Sequence, residues 1–347
     1  MELDLSLVVV GAGISGLVAS HVSGYKALVI EASERANTNF GDMVGARFIH
    51  DSPELRSLFG YRGPSETVEV TSDAEDRATG LERYVHKTRQ CELTNMPPAE
   101  RESAMNWGGG TFDYLPIDVN RWARYIERQA GVVYGSKLVS VQRKPTGLYL
   151  ELANGSSVRA DKVLFTIPLP TMLKVVGHAD ARFRTFPTTV GRFKAQGISP
   201  DGYPPTMHYI TDPSTPVTRV TTKRNLIIVE ASASQGPELL MEMGKIAQRR
   251  ADELGKPEWL DALGFSTFGH HFEYFPGFTE ARSAAVLSLE RTGLWPLGRY
   301  AQWSHRTKTL ETYIRANRLI NDAVPRAHKR TSRQVEASYG LGEAEDS

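Results

Sequence analysis

The stretch Leu5-Ser6-Leu7-Val8-Val9-Val10-Gly11-Ala12-Gly13-Ile14-Ser15-Gly16 decides the fold of this chain. Its first half, residues 5–10, is an apolar run without alternation, which is typical of a parallel strand buried on both faces. Its second half has the spacing G-x-G-x-x-G and leads into a helical pattern over residues 17–23. A strand, a glycine turn and a helix in this order predict the first half of a βαβ dinucleotide-binding unit.

Each part of this pattern has a physical role in binding a dinucleotide. Gly11 permits the tight turn, Gly13 lets a pyrophosphate approach the backbone, and Gly16 lets the helix pack close to the strand. The helix N-terminus adds unpaired N–H groups and a partial positive charge. Residues 27–30 form a second apolar strand that ends at Glu31, whose carboxylate can accept hydrogen bonds from ribose hydroxyls. This acid disfavours NADP, whose 2′-phosphate it would repel, but it leaves FAD and NAD open.

Composition sets broad limits on the rest of the molecule. The chain has 347 residues, 40% hydrophobic and 23% charged, which is enough for two domains or one large two-part fold. The net charge of +1 neither indicates nor excludes nucleic acid, so any basic binding face must be local. Cys91 is the single cysteine, which predicts a reducing compartment. No stretch is long enough to span a membrane, and the apolar start lacks a basic leader, so we expect a cytoplasmic protein.

The choice between FAD and NAD depends on a resemblance carried by later segments. Residues 31–35, Glu-Ala-Ser-Glu-Arg, and residues 45–50, Gly-Ala-Arg-Phe-Ile-His, resemble the flavin-dependent amine oxidase superfamily, which includes amine oxidases, protoporphyrinogen-oxidase-like proteins and UDP-galactopyranose mutases. Residues 160–168, Ala-Asp-Lys-Val-Leu-Phe-Thr-Ile-Pro, are similar to a further element of that group, and residues 293–300 to its C-terminal flavin motif. The glycine pair of the family is missing, since residues 36–39 are Ala-Asn-Thr-Asn.

The resemblance implies FAD as the cofactor and a set of residues around it. A backbone segment near Leu138 and Val139 would touch the adenine, and the N-terminus of a helix over residues 310–324 would face the flavin N1/O2 edge. The expected cofactor contacts are Gly11, Ala12, Gly13, Ile14, Ser15, Gly16, Glu31, Ala32, Arg35, Gly45, Ala46, Arg47, Phe48, Val139, Thr166, Gly298, Arg299 and Leu310.

The resemblance also implies the architecture. We expect an α/β fold in which a Rossmann-like FAD-binding domain with a parallel sheet carries an inserted α+β substrate domain with a mixed or antiparallel sheet. The predicted FAD-binding domain comprises residues 1–60, 129–180 and 285–325, the substrate domain residues 61–128 and 181–284, and residues 326–347 form a polar tail. Short β runs over residues 206–211, 217–222 and 226–231 would form a roof over the flavin.

Oxidation of an amine by a flavin needs a dry cavity, aromatic walls and groups that orient the amine. The catalytic candidates are His50, His208, Trp303 and Lys194, the lysine because many amine oxidases place one near flavin N5. The candidates for substrate binding are Arg219 and Arg282, whose guanidinium groups suit a carboxylate, and the rings of Tyr274 and Tyr300. Trp107 and His305 are further aromatic and base candidates, and no metal site is expected.

A finer resemblance concerns the substrate. The short chain, the missing glycine pair and residues 298–303, Gly-Arg-Tyr-Ala-Gln-Trp, resemble a subgroup common in bacterial viruses. Some members of that subgroup oxidise a glycine that is attached through its amine to the thymine methyl group in DNA, which releases glyoxylate and leaves aminomethyl-uracil. A basic cluster in the tail, Arg326, Lys329, Arg330 and Arg333, is compatible with DNA, although a solvated tail is the favoured interpretation over a phosphate-binding arm. The alternatives are a free amine or amino-acid oxidase, a mutase-type isomerase without net redox, and a flavin-stabilised binding protein without turnover.

Overall fold

A computed structural model describes residues 2–36, 48–89, 95–98, 100, 109–198, 202–255, 257–304 and 306–321. Within these ranges the helices are α1 Ile14–Val22, α2 Pro53–Phe59, α3 Arg77–Arg89, α4 Val119–Gln129, α5 Leu169–Val175, α6 Pro237–Leu254, α7 Phe278–Arg291, α8 Arg299–Gln302 and α9 Thr309–Asn321. The strands are β1 Glu2–Val10, β2 Leu28–Ile30, β3 Ile49–His50, β4 Glu66–Ser72, β5 Gly110–Leu115, β6 Gly131–Val133, β7 Leu138–Lys144, β8 Gly147–Leu152, β9 Ser157–Phe165, β10 Thr185–Gln196, β11 Tyr203–Tyr209, β12 Val217–Arg224, β13 Leu226–Ala231, β14 Trp259–Phe272 and β15 Leu294–Pro296.

The first sheet is the predicted dinucleotide-binding sheet. Its strands lie in the order β6-β2-β1-β9-β8-β7, and β15 pairs with β9. The pairs β6–β2, β2–β1, β1–β9 and β9–β15 are parallel, whereas β7, β8 and β9 form an antiparallel meander. Helices connect the parallel strands, so the carboxyl ends of β1, β2, β9 and β15 meet at one edge, where α/β sheets bind ligands. The α/β prediction is confirmed.

The first sheet is buried on both faces. On one face, α5 and α7 pack against the sheet, including its strands β7 and β8, around Phe165, Phe272 and Trp303. The other packs with α1, α2, α4 and α9 around Leu17, Trp122 and Ala316. The packing of α4 against α1 shows that part of the predicted substrate range 61–128 belongs to this core. The domain boundaries otherwise stay a prediction.

The second sheet is mixed, as expected of the inserted unit. It has eight strands in the order β14-β10-β13-β12-β11-β4-β5-β3, all antiparallel except the pair β11–β4. Helix α6 covers one face through Leu239, Met243, Ala247 and Ala251, all buried. None of the helices in the described ranges is long and apolar enough to cross a membrane.

Candidate functional site

The glycine turn after β1 is packed as tightly as its sequence predicts. A Cβ at Gly16 would lie 1.9 Å from the Gly11 carbonyl oxygen, so only glycine allows α1 to approach the turn this closely. A Cβ at Gly13 would have no protein atom within 4 Å. The backbone at Gly13, the N-cap of α1, therefore faces open space, and no side chain caps the helix. An anion can approach this helix N-terminus, whose first N–H groups have no intrahelical acceptor.

Thr166 fixes the turn from the neighbouring strand. Its hydroxyl donates to the carbonyl oxygens of Val10 at 3.0 Å and Gly11 at 3.2 Å. Gly11 has a φ of +100°, and a Cβ there would lie 2.4 Å from the Thr166 Oγ1. The threonine at the end of β9 therefore packs against the first glycine, which keeps the two strand ends in register.

Glu31 lies at the end of β2, directly beside the glycine turn. Its carboxylate accepts from the Ala12 N–H at 2.6 Å and from the Ser33 N–H and hydroxyl at 2.8 and 2.5 Å. The Ala12 N–H is therefore engaged by the protein, and a cofactor contact of Ala12 stays a prediction for its other atoms. A carboxylate has about four acceptor positions, so Glu31 retains capacity for ribose hydroxyls while it holds the turn.

The predicted adenine side lies next to Glu31. The Glu31 N–H donates to the Val133 carbonyl oxygen at 2.9 Å. Val133 and Val139 are among the exposed large hydrophobic residues, at 39% and 47%. At Val139 the register between β7 and β8 shifts. The exposed side chain of Val133, next to Glu31, fits a planar apolar ring. The exposed residues Ala32 and Arg35 follow β2. These contacts stay predictions.

The C-terminal glycine motif reaches the same edge from β15. Gly298 has a φ of +89°, and a Cβ there would lie 2.2 Å from the Ser15 Oγ and 2.8 Å from the Ser15 Cβ. Arg315 of α9 supports this turn by donating to the Pro296 carbonyl oxygen at 2.9 Å and to the Glu290 carboxylate at 2.5 Å. Two motifs nearly 300 residues apart are thus in direct contact.

The N-terminus of α9 lies near this turn and carries positive charge. Burial lowers the pKa of the Lys308 ammonium, the Glu311 carboxylate opposes this shift, and the nearby Arg299 cation adds to it. The Glu311 carboxylate accepts from the Lys308 backbone N–H at 2.9 Å, which caps the helix. Leu310 is half-buried in the core below. A helix N-terminus flanked by two cations suits the negative charge of a reduced flavin.

His50 places the edge of the second sheet next to α9. It lies on β3, opposite Tyr114, and its ring stacks on Phe112 with centroids 4.4 Å apart. Burial, assisted by the Lys308 ammonium and opposed by the Glu311 carboxylate, lowers the pKa of His50 to about 4. The imidazole is therefore neutral at neutral pH, and it can donate or accept a hydrogen bond without adding charge.

A cleft of about 560 Å³ opens beside His50. It is lined by His50, Asp51, Ser52, Pro53, Arg56, Phe112 and Asp113. Inside it, Arg56 donates to both carboxylate oxygens of Asp51, at 2.6 and 2.7 Å. This bidentate pair holds the turn between β3 and α2, so it shapes the cleft rather than offering a free charge.

Strand alternation decides which candidates of the second sheet share a face with His50. The registers place Phe112 and Tyr114, Met207, Lys223 and Lys194 on the His50 face. His208 is on the other face, towards α6, where it hydrogen-bonds Thr71 at 2.9 Å and where burial and Arg250 lower its pKa. His208 and His50 therefore cannot act on one group from the same face, because side chains at even and odd positions of β11 point to opposite faces. A catalytic role for His208 stays a prediction.

Both arginines expected to bind substrate already hold carboxylates. Arg219 donates to both oxygens of Glu230, at 2.6 and 2.5 Å, and the two side chains are 12% and 5% exposed. Arg282 lies 3.7 Å from Glu100, which is 2% exposed. The bidentate pair with Glu230 therefore occupies Arg219, whereas the ion pair of Arg282 is longer and its side chain is 25% exposed. Both substrate assignments stay predictions.

The aromatic candidates near the C-terminal motif lie in the interior. Trp303 is fully buried and stacks on Phe272 with centroids 4.3 Å apart. Tyr274 is buried against Phe278, and Tyr300 packs edge-on to Phe272. These rings build the core beneath α8. Trp303 and Tyr274 are thus core residues, whereas Tyr300 is half-buried. Their roles in catalysis and substrate binding stay predictions.

Several predicted residues lie outside the described residues, namely Gly45, Ala46, Arg47, Trp107, His305 and the basic tail cluster. Sequence reasoning in turn missed Phe112, Lys223 and Lys308, which surround Phe48 and His50. Only the capping pattern Lys308-x-x-Glu311 gave a local signal for one of them. The other two depend on strand pairing, which a single sequence does not show.

Comparisons with known proteins support the fold. No protein-family model and no curated protein matches the chain. Among solved structures, a reduced UDP-galactopyranose mutase is 14% identical with a TM-score of 0.70, covering 97% of this chain and 100% of that one. A fatty acid isomerase from P. acnes is 11% identical, with a TM-score of 0.59 and coverages of 92% and 99%. A putrescine oxidase variant is 12% identical, with a TM-score of 0.56 and coverages of 93% and 99%. At such identities the likeness shows a shared fold over nearly the whole chain.

Proposed function

We propose that this protein binds FAD and is an oxidoreductase of the amine-oxidase type. The observation that carries the proposal is the convergence of Gly13, Glu31, Gly298 and the N-terminus of α9 at one edge of the first sheet. Open space at Gly13 suits a pyrophosphate, Glu31 a ribose, and the cations near α9 a reduced isoalloxazine. The fold shared with a putrescine oxidase, 12% identical, is compatible with this reading.

Bound FAD would supply the two-electron oxidation of an amine C–N bond to an imine, which water then hydrolyses to an amine and a carbonyl compound. The protein has to orient the amine and keep it neutral. His50 is suited to this task, because its imidazole is uncharged at neutral pH and stacks firmly on Phe112. Phe48, edge-on to Phe112 at 5.9 Å, extends an apolar surface that excludes water from the same place.

For the substrate we propose a glycyl group linked through its amine to thymine in DNA. The support is the resemblance of residues 298–303 to the viral subgroup, together with cations on the His50 face of the second sheet. The products would be aminomethyl-uracil in DNA and glyoxylate. A free N-alkyl glycine is the competing substrate of the same chemistry.

The test is an absorption spectrum of the protein reconstituted with FAD, recorded without oxygen before and after substrate addition. Flavin bands that bleach with glycyl-modified DNA, but not with unmodified DNA, support the full proposal. If only a free N-alkyl glycine bleaches the flavin bands, the amine-oxidase assignment stands but DNA is not the substrate. Stable flavin bands with every amine, together with no oxygen consumption in air, would move the assignment to a mutase-type reaction. Absence of flavin bands after reconstitution would refute FAD binding.

A further inference from the structure

Lys223 holds an ammonium group in an unusual position on the second sheet. It lies near the end of β12, on the face that also carries His50. Its Nζ lies 4.9 Å from the ring centroid of Tyr114 and 5.6 Å from that of Phe48. The side chain is half-buried, so the charge is partly removed from water and lies over two aromatic rings.

The carboxylates near Lys223 are engaged elsewhere. Glu66 accepts the hydroxyl hydrogen bond of Tyr114, and Asp118 caps α4 by accepting from the Arg121 N–H at 3.0 Å. Within the described ranges, neither comes within ion-pairing distance of the Lys223 Nζ. The two acids contribute only longer-range attraction, and burial together with Arg224 lowers the pKa of Lys223. In the part of the chain that the structure describes, Lys223 thus has no hydrogen-bonding anion, and a partly desolvated cation of this kind gains most from binding an additional anion.

Other cations of this face are arranged differently. Arg219 is neutralised by Glu230, and Lys194 lies directly across from Asp261 on the neighbouring strand. Lys223 also stands beside Phe48, whose ring contacts Phe112, on which His50 stacks. A molecule that reaches His50 can therefore extend over Phe48 to the ammonium group.

We propose that Lys223 is a specificity-determining residue that binds an anionic group of the substrate, a carboxylate or a phosphate. This inference rests on the proposed function, because it assigns the charged end of the molecule whose amine lies beside His50. It replaces Arg219 and Arg282 as the anion-binding residue. A carboxylate suits a glycyl substrate, and a phosphate suits a nucleic-acid backbone.

The experiment is isothermal titration calorimetry on the FAD-reconstituted protein with three probes that share a phenyl ring: benzoate, phenyl phosphate and benzamide, the neutral counterpart of benzoate. We expect one of the anions to bind and the Lys223→Met variant to lose about tenfold or more of that affinity. Lys223→Arg should retain most of it, and benzamide should bind both proteins equally weakly. The anion that binds with the higher affinity shows which group Lys223 recognises: benzoate stands for a substrate carboxylate and phenyl phosphate for a nucleic-acid phosphate.

The matched control is Lys144→Met, which removes a lysine whose Nζ lies 4.2 Å from the Tyr149 ring in the β7–β8 hairpin, far from this face. Thermal unfolding of each variant confirms that it is folded. An anion affinity within about twofold of wild type in Lys223→Met, or no anion binding by wild type, would overturn the proposal. Flavin content is read separately from the absorption spectrum. If FAD does not bind, the proposed function fails, and the same titrations on the FAD-free protein still decide the role of Lys223.

Discussion

Gly298 lies directly against Ser15, so that a Cβ on the glycine would come within 2.2 Å of the serine Oγ. This contact joins the turn at Gly298 to the first turn of α1, so the two glycine motifs meet at one edge of the first sheet. Two separate reasons require glycine at position 298: the close contact with Ser15, and a φ of +89°, which is unfavourable for any residue with a side chain.

Gly298→Ala should therefore destabilise the protein by about 2 kcal/mol or more, from backbone strain and the clash with Ser15. Ser15→Gly alone should cost less than about 1 kcal/mol. In the double variant the clash is relieved while the strain remains, so we expect a favourable coupling of about 1 kcal/mol. Urea denaturation of the four proteins measures it. Strictly additive effects would show that the two residues do not touch in solution.

Gly13 and Gly16 should respond in opposite ways to the same substitution. Gly13→Ala adds a methyl group to open space, so folding should be unaffected while FAD affinity falls about tenfold or more. Gly16→Ala drives a methyl group to 1.9 Å from the Gly11 carbonyl oxygen, which should cost about 3 kcal/mol or more even without FAD. Gly244→Ala, at an open position of α6, is the control: it should leave FAD affinity unchanged and raise stability by about 0.5–1 kcal/mol, because alanine is favoured over glycine in a helix interior. Thermal unfolding and fluorescence titration with FAD separate the two effects, and unchanged FAD affinity in Gly13→Ala would contradict the pyrophosphate assignment.

Glu31 should matter for the cofactor more than for stability. Glu31→Gln keeps the size of the side chain but removes the charge and one acceptor oxygen, which weakens the bonds to Ala12 and Ser33 by about 1 kcal/mol. We expect FAD affinity to fall about tenfold or more, since charge-assisted bonds to the ribose are lost. Glu34→Gln, an exposed neighbour, is the matched control. Flavin retention on gel filtration is the readout, and equal retention in both variants would show that Glu31 only supports the turn.

The fold follows from the sequence more directly than the site does. Residues 5–16 determine a βαβ unit because glycine spacing, strand and helix all lie within one short segment. The pairing of Arg219 with Glu230 is different, because it depends on β12 and β13 being aligned across a register shift. A one-residue slip would move every side chain to the other face. The sequence likewise named both His208 and His50 as candidates without showing that the register places them on opposite faces.

His50 should give the protein a characteristic acid response. Its pKa is about 4 in the folded state against an ordinary value of 6.5, so the unfolded chain binds more protons between these limits. Stability contributed by the neutral imidazole is present above pH 6.5 and is lost as the pH falls towards 4. Urea denaturation across this interval should show wild type losing stability relative to His50→Asn. Parallel pH profiles of the two proteins would contradict the buried, neutral state.

The charges of Lys308 and Glu311 at the start of α9 should shift the pKa of His50 in opposite directions. The Lys308 ammonium lowers the pKa of His50, so Lys308→Gln should raise it. The Glu311 carboxylate opposes that effect, and Glu311→Gln should lower the pKa of His50 further. NMR titration of the ring protons, assigned with His50→Asn, measures both shifts. Changes of the same sign in both variants would mean that these charges do not face His50.

The last prediction concerns Arg219, for which sequence and structure suggest different roles. If it is the partner of Glu230, Arg219→Met leaves a buried carboxylate without a counter-charge and should cost about 3–5 kcal/mol. Replacing both residues with methionine removes the uncompensated charge, so the double variant should recover most of that stability. It should also bind benzoate or phenyl phosphate as wild type does, because the anion would contact Lys223 instead. If the double variant recovers its stability but no longer binds the anion, Arg219 and not Lys223 is the anion-binding residue, since its guanidinium is then required for more than pairing with Glu230.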